Sequence, residues 1–98
     1  MKIATKREEN KLTMALEGEL DSTNYHELEE ALGASLKGVK ELVFDFAKLD
    51  YISSAGLRVL LTARKAMEKQ GEMIVINANE NVLDIFDVTG FRFVLDIR

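Results

Sequence analysis

Ninety-eight residues with 47% hydrophobic content suit one domain with one core, and a domain of this size buries roughly 60–70% of the surface its unfolded chain exposes. Seventeen acidic against thirteen basic side chains leave a net charge of −4, which argues against nucleic acid, whose binders favour a basic stripe, and against an anionic membrane surface. The lack of cysteine excludes disulfides, thiolate metal sites and a cysteine nucleophile, residues 1–10 lack the apolar centre of a signal peptide, and no apolar run approaches the roughly 20 residues that span a bilayer.

Ile3 and Thr5 alternate with Lys2, Ala4 and Lys6 as a weak strand. The charged run from Arg7 to Lys11 predicts a turn, and Leu12, Met14 and Leu16 then alternate with Thr13, Ala15 and Glu17 as a strand with one buried face. A hairpin through Glu9 and Asn10 joins the two, although no Asn-Gly pair fixes its type. Gly18, with its backbone freedom, is expected to end the run. Asp21, Ser22, Thr23 and Asn24 are all cap formers, and Tyr25, Leu28, Leu32 and Leu36 follow at helical spacing. Glu27, Glu29 and Glu30 lie toward the positive end of this helix, and Lys37-Gly38 is the expected stop after about three turns.

Val39 to Phe46 reads as a central strand, nearly continuous in apolar character and so buried on both faces. Lys48 and Asp50 predict a polar turn after it. Helical periodicity starts at about Ser54: Gly56, Leu60, Ala63 and Met67 share a stripe, broadened by Leu57, Leu61 and Ala66, opposite Arg58, Thr62, Lys65 and Lys69. Arg64, Lys65 and Lys69 suit the negative end of this helix, which closes near Gly71. Met73 to Ile76 is a short buried strand, so the whole is a βαβ unit with parallel strands and a right-handed crossover. Asn79 caps a shorter helix carrying Val82, Leu83 and Phe86, Gly90 ends it, and Phe91, Phe93, Leu95 and Ile97 alternate as a last strand. The expected fold class is α/β: a single domain over residues 1–98, with a mixed sheet of four or five strands and packed helices. Strand order is not legible from periodicity.

Ser53 and Ser54 stand where a helix N-cap belongs, because a serine hydroxyl accepts a bond from an orphan amide of the first turn. A strand, a short turn and a helix start also bring free N–H groups and the positive helix end to solvent, where anions are favoured. Capping alone accounts for both serines, and a cap or turn accounts for Asp21. His26, the one histidine, has no companion at ligand spacing and reads as an exposed helix residue. Asp45, Asp50, Asp84 and Asp87 do not converge as a metal cluster, the six glycines are isolated rather than gathered in a phosphate loop, and no Ser/His/Asp triad is supported.

Three stretches carry a resemblance. Leu49-Asp50-Tyr51-Ile52-Ser53-Ser54-Ala55-Gly56-Leu57 is similar to the signature of the STAS domain family, the anti-sigma factor antagonists. Gly18-Glu19-Leu20-Asp21 resembles the second signature of that family, and Leu83 to Phe91 resembles its last helix and following turn. The likeness covers essentially the whole chain, in order. It implies one fixed strand order and a protein switch rather than an enzyme. In such a switch the unphosphorylated form binds an anti-sigma factor that is also an ATP-binding serine kinase, which frees a sigma factor for transcription; a serine phosphatase resets the cycle. By the same resemblance the phosphoacceptor is Ser54, two residues before Gly56. Ser53 is its rival, because the family's Asp-Ser-Ser-Gly reads here as Ser53-Ser54-Ala55-Gly56. The resemblance also places Asp21 beside that serine, where a carboxylate orients the hydroxyl or offers a docking surface, and assigns partner binding to Asp21, Ser53, Ser54, Gly56 and Arg58. ATP belongs to the partner, so no cofactor, metal or catalytic residue is expected, and the expected location is the cytoplasm. Two other readings stay open: an unphosphorylated STAS binding module within a larger sensor or lipid-transport complex, and a small nucleotide-binding protein or hydrolase.

Overall fold

The amino-terminal alternation folds as a hairpin in the computed structural model, which describes residues 1–98. β1 (Lys2–Glu8) pairs antiparallel with β2 (Lys11–Leu20), the expected hairpin, and Glu9 takes φ 54° in the connecting turn. Period-two alternation sends Leu12, Met14 and Leu16 inward, each at most 1% exposed. β2 runs parallel to β3 (Glu41–Ile52), β3 parallel to β4 (Glu72–Ile76), and a short β5 (Asp96–Ile97) runs parallel to β4. The sheet order is β1-β2-β3-β4-β5.

Parallel neighbours cannot be joined by a tight turn, so each pair is bridged by a helix. α1 (Tyr25–Ser35) links β2 to β3 and α2 (Ser54–Glu68) links β3 to β4. α3 (Glu80–Thr89) and a single 3-10 turn (Phe91–Phe93) link β4 to β5. Leu12, Leu42 and Met73 lie in register across β2, β3 and β4, as do Met14, Phe44 and Val75. Leu28 and Leu32 of α1, Leu57, Leu60, Ala63 and Met67 of α2, and Val82 and Phe86 of α3 join those rows in one continuous core. Alternate rows point the other way: Thr13 and Ile74 stay partly exposed there, on either side of Val43.

Gly18 does not end β2. It sits at φ 101°, where β2 shifts register against β3 between Ala15 and Glu17 and again between Gly18 and Glu19. Bulges of this kind bend a strand without stopping it, so β2 continues to Leu20. Lys48 and Asp50 likewise form no turn. β3 runs on to Ile52 because Leu49 and Ile52 stay buried in the core while Lys48 and Asp50 point to solvent. The alternation from Phe91 to Ile97 also misleads. Gly90, at φ 80°, turns the chain, and the amides of Phe93 and Leu95 bond to the carbonyls of Gly90 and Phe91. Those donors are lost to a sheet ladder, Phe93 is left 95% exposed, and only Asp96–Ile97 pairs.

Candidate functional site

β2 and β3 end together. Leu20 pairs with Ile52, and the Ser53 amide donates to the Leu20 carbonyl at 2.9 Å. The chain leaving β2 at Asp21 and the chain entering α2 at Ser53 therefore emerge side by side. Parallel pairing produces this arrangement, because it brings the carboxyl ends of strands and the starts of crossover helices to one edge. Gly56 lets α2 approach closely: a Cβ there would lie 2.7 Å from Leu20 Cγ and 2.8 Å from Ile52 Cγ1.

Ser53 is the N-cap residue of α2, with φ −94° and ψ 176°, the extended geometry a cap adopts. Its carbonyl accepts from the Leu57 amide at 2.9 Å, but its hydroxyl bonds no amide of the first turn. Ser53 Oγ is buried and has no hydrogen-bond partner, alone among the buried side-chain polar atoms of the chain. The expectation that both serines cap is corrected: Ser53 holds the position without the bond, and Ser54 is the first helical residue, exposed to solvent. The first amides of α2 have no carbonyl one turn back to bond, so the positive helix end opens beside the Ser54 hydroxyl. Arg58, also exposed, lies one turn further along α2.

Asp21 is held by its own loop. Its Oδ1 accepts from the Thr23 amide at 2.9 Å and from Thr23 Oγ1 at 2.6 Å, and its amide donates to Asn24 Oδ1 at 2.9 Å. Asn24 Nδ2 donates back to the Glu19 carbonyl at 2.7 Å. Asn24 thus stands at the N-cap of α1 without capping it, since its oxygen is already taken; the expected side-chain cap is replaced by this turn. The Thr23 hydroxyl first, and then the Thr23 amide, hold the Asp21 carboxyl below its ordinary value of 3.8, because both bonds favour the charged form. A fixed negative charge therefore sits at the end of β2, next to the start of α2.

Beside the serines opens an apolar groove of about 370 Å³. Tyr51, Leu57 and both serines form one wall, and Asp84, Ile85 and Val88 of α3 form the other. α3 is pinned there by Asn79 Nδ2 donating to the Leu49 carbonyl at 3.1 Å and Asn81 Nδ2 donating to the Asp50 carbonyl at 2.8 Å. Asn79 Oδ1 accepts from the Val82 amide at 2.9 Å, so this cap forms as expected. Val88 is 87% exposed at its rim. Motif reading missed the groove; its one signal is that Ile85 and Val88, a helical i,i+3 pair, lie off the Val82–Phe86 stripe. Of the four aspartates weighed as a cluster, Asp84 alone lines the groove, and nowhere do three His, Asp or Glu side chains gather closely enough to hold a metal ion. His26 lies on the exposed face of α1, 3.6 Å from Glu29. No helix is long and apolar enough to cross a membrane.

Known proteins share both fold and sequence with this chain. BtrV of Bordetella bronchiseptica, described as an anti-sigma factor antagonist, is 36% identical over 99 residues, a match covering 99% of this chain and 85% of that protein. The anti-sigma-B factor antagonist of Bacillus subtilis is 28% identical over 96 residues, covering 97% of this chain and 88% of the relative. The Bacillus anti-sigma factor antagonist SpoIIAA has a similar fold at 17% identity. Its unphosphorylated form gives a TM-score of 0.79 over 99% of this chain and 87% of that one. Its phosphorylated form gives 0.76 over 99% and 91%. The sequence model of the STAS domain matches residues 2–98. With that match running along nearly the whole chain, and with a relative above 30% identity over 99% of it, this chain belongs to the STAS domain family.

Proposed function

We propose that this protein is an anti-sigma factor antagonist, a binding switch acting in the cytoplasm and set by phosphorylation of Ser54. The observation that carries the choice of residue is the difference between the two serines: Ser54 is exposed at the first position of α2, whereas Ser53 Oγ is buried. Only the exposed hydroxyl is presented to a kinase. The names of the relatives support the antagonist role.

In the unphosphorylated state the neutral Ser54 hydroxyl, the Asp21 turn, Arg58 and the flanking groove offer a docking surface to an anti-sigma factor. Its occupation releases a sigma factor. The partner is also the kinase and brings the ATP. Ser54 Oγ attacks the γ-phosphorus, the bond to ADP breaks, and the hydroxyl proton passes to a base; our candidate is the Asp21 carboxylate, supported by its position after the strand end that pairs with Ile52. A serine phosphatase removes the phosphate by hydrolysis and restores the binding form.

Incubation with the anti-sigma kinase and ATP, followed by phosphopeptide mapping, tests this. Label is expected on Ser54; Ser54→Ala should abolish it and Ser53→Ala should keep most of it. Labelling that survives Ser54→Ala and vanishes with Ser53→Ala would overturn the assignment.

Asp21→Asn separates chemistry from architecture. The amide keeps the size of the side chain and an oxygen able to accept both Thr23 bonds, so the expected stability loss is below about 1 kcal/mol. Phosphorylation or partner binding should suffer more. A collapsed melting temperature with normal binding by the remaining folded protein would make Asp21 purely structural.

A further inference from the structure

Every buried side-chain polar atom in this fold is hydrogen-bonded except Ser53 Oγ. Its own backbone is fully engaged, the amide to Leu20 and the carbonyl to Leu57, so the orphan is confined to the hydroxyl. Folded proteins seldom leave such a group unpaired, and one found beside a candidate site calls for a physical reason. Capping does not explain it, because the cap geometry is present and the cap bond is not. Ser53 and Ser54 line the same groove, at the start of a helix whose first amides also lack partners. We propose that Ser53 is a positioning residue for the phosphorylated switch: by rotation about its χ1 torsion into the groove that both serines line, its now buried hydroxyl donates to a phosphoryl oxygen carried by Ser54, alongside the free amides of the first turn. This role rests on phosphorylation of Ser54 as proposed above.

A hydroxyl suits the task. It is neutral, so it does not repel the group, and a donated bond favours the dianion over the monoanion. An aspartate in its place would do the opposite.

The test uses the whole chain with phosphoserine incorporated at position 54 during synthesis, followed by phosphorus NMR across a pH titration. Its outcome is thereby independent of the kinase-labelling experiment. The second ionisation of the phosphate, ordinarily at about 6, should lie lower in the otherwise unmodified sequence. Ser53→Ala should raise it by roughly half to one pH unit, and Ser53→Thr, which keeps the hydroxyl, should restore it. The charged groups toward this edge are the Glu19 and Asp21 carboxyls and Met1 amine beside β2, Asp50 of β3, Arg58 of α2 and Asp84 of α3. They are common to all variants, so the difference isolates the hydroxyl. Without the phosphate, Ser53→Ala should melt at or above the wild-type temperature, since it removes no bond. Equal phosphate titrations in wild type and Ser53→Ala would overturn the role. So would a marked loss of melting temperature in unphosphorylated Ser53→Ala, the behaviour of an ordinary bonded cap.

Discussion

Ser54→Asp is expected to weaken binding to the anti-sigma partner by at least about tenfold while leaving the fold intact. The folded chain tolerates the charge because Ser54 is the first residue of α2, where a negative group is favoured by about 0.3–1 kcal/mol. Asp21 and Asp50 add like charge nearby, but both lie at a solvated edge where salt screens them. The penalty falls on the complex. There the charge must be desolvated against a surface fitted to a neutral hydroxyl, and like-charge juxtaposition at an interface costs several kcal/mol, with about 1.4 kcal/mol for each tenfold in affinity. Calorimetric titration measures the loss. Circular dichroism should be unchanged, and amide shifts should cluster near residues 50–60 and around Asp21. Binding equal to wild type, or shifts spread through the core, would count against the switch. Authentic phosphoprotein, with its charge of about −1.5 to −2, should show the larger effect.

Gly56→Ala should lower the melting temperature by about 4–16 °C, through a loss of roughly 1–2 kcal/mol. Two effects compete. Alanine in place of glycine gains up to about 1 kcal/mol of helix propensity in a helix interior, and less so near the amino end, where Gly56 lies. Against this, the new methyl would sit 2.7 Å from Leu20 Cγ, 2.8 Å from Ile52 Cγ1 and 3.0 Å from Leu20 Cδ2. Leu20 and Ile52 are themselves buried and are met at Cγ rather than only at their flexible ends, and overpacking of this kind costs about 1–3 kcal/mol. The clash wins. Because those two side chains end β2 and β3, relief by lifting α2 would also move Ser54 away from the Asp21 turn. Thermal denaturation and partner binding should therefore fall together. A variant as stable as wild type would show that α2 does not depend on this close approach.

Sequence alone determined what depends on neighbours a few positions away. Period-two alternation in Leu12, Met14 and Leu16, the 3.6-residue stripe through Leu60, Ala63 and Met67, the Asn79 cap and the Gly90 stop all follow from local geometry, and each is present in the fold. The serine motif also named the right helix start. Tertiary structure decided the outcomes of competition for hydrogen bonds and burial between residues far apart in the chain. β3 passes Lys48 and Asp50 because the core claims Leu49 and Ile52, and β2 survives Gly18 because a bulge absorbs the mismatch with β3. Asn24 gives its oxygen to Asp21 instead of to α1, and Phe93 lies outside because the amides of its turn bond locally. The pairing of Leu20 with Ile52, which sets Asp21 next to Ser53, has no trace in local periodicity, since parallel strands are brought together by a crossover rather than by a turn. For the same reason two adjacent serines, equivalent on the page of the sequence, became one exposed residue and one with a buried, unpaired hydroxyl, the second held by its amide to the Leu20 carbonyl at the paired strand end.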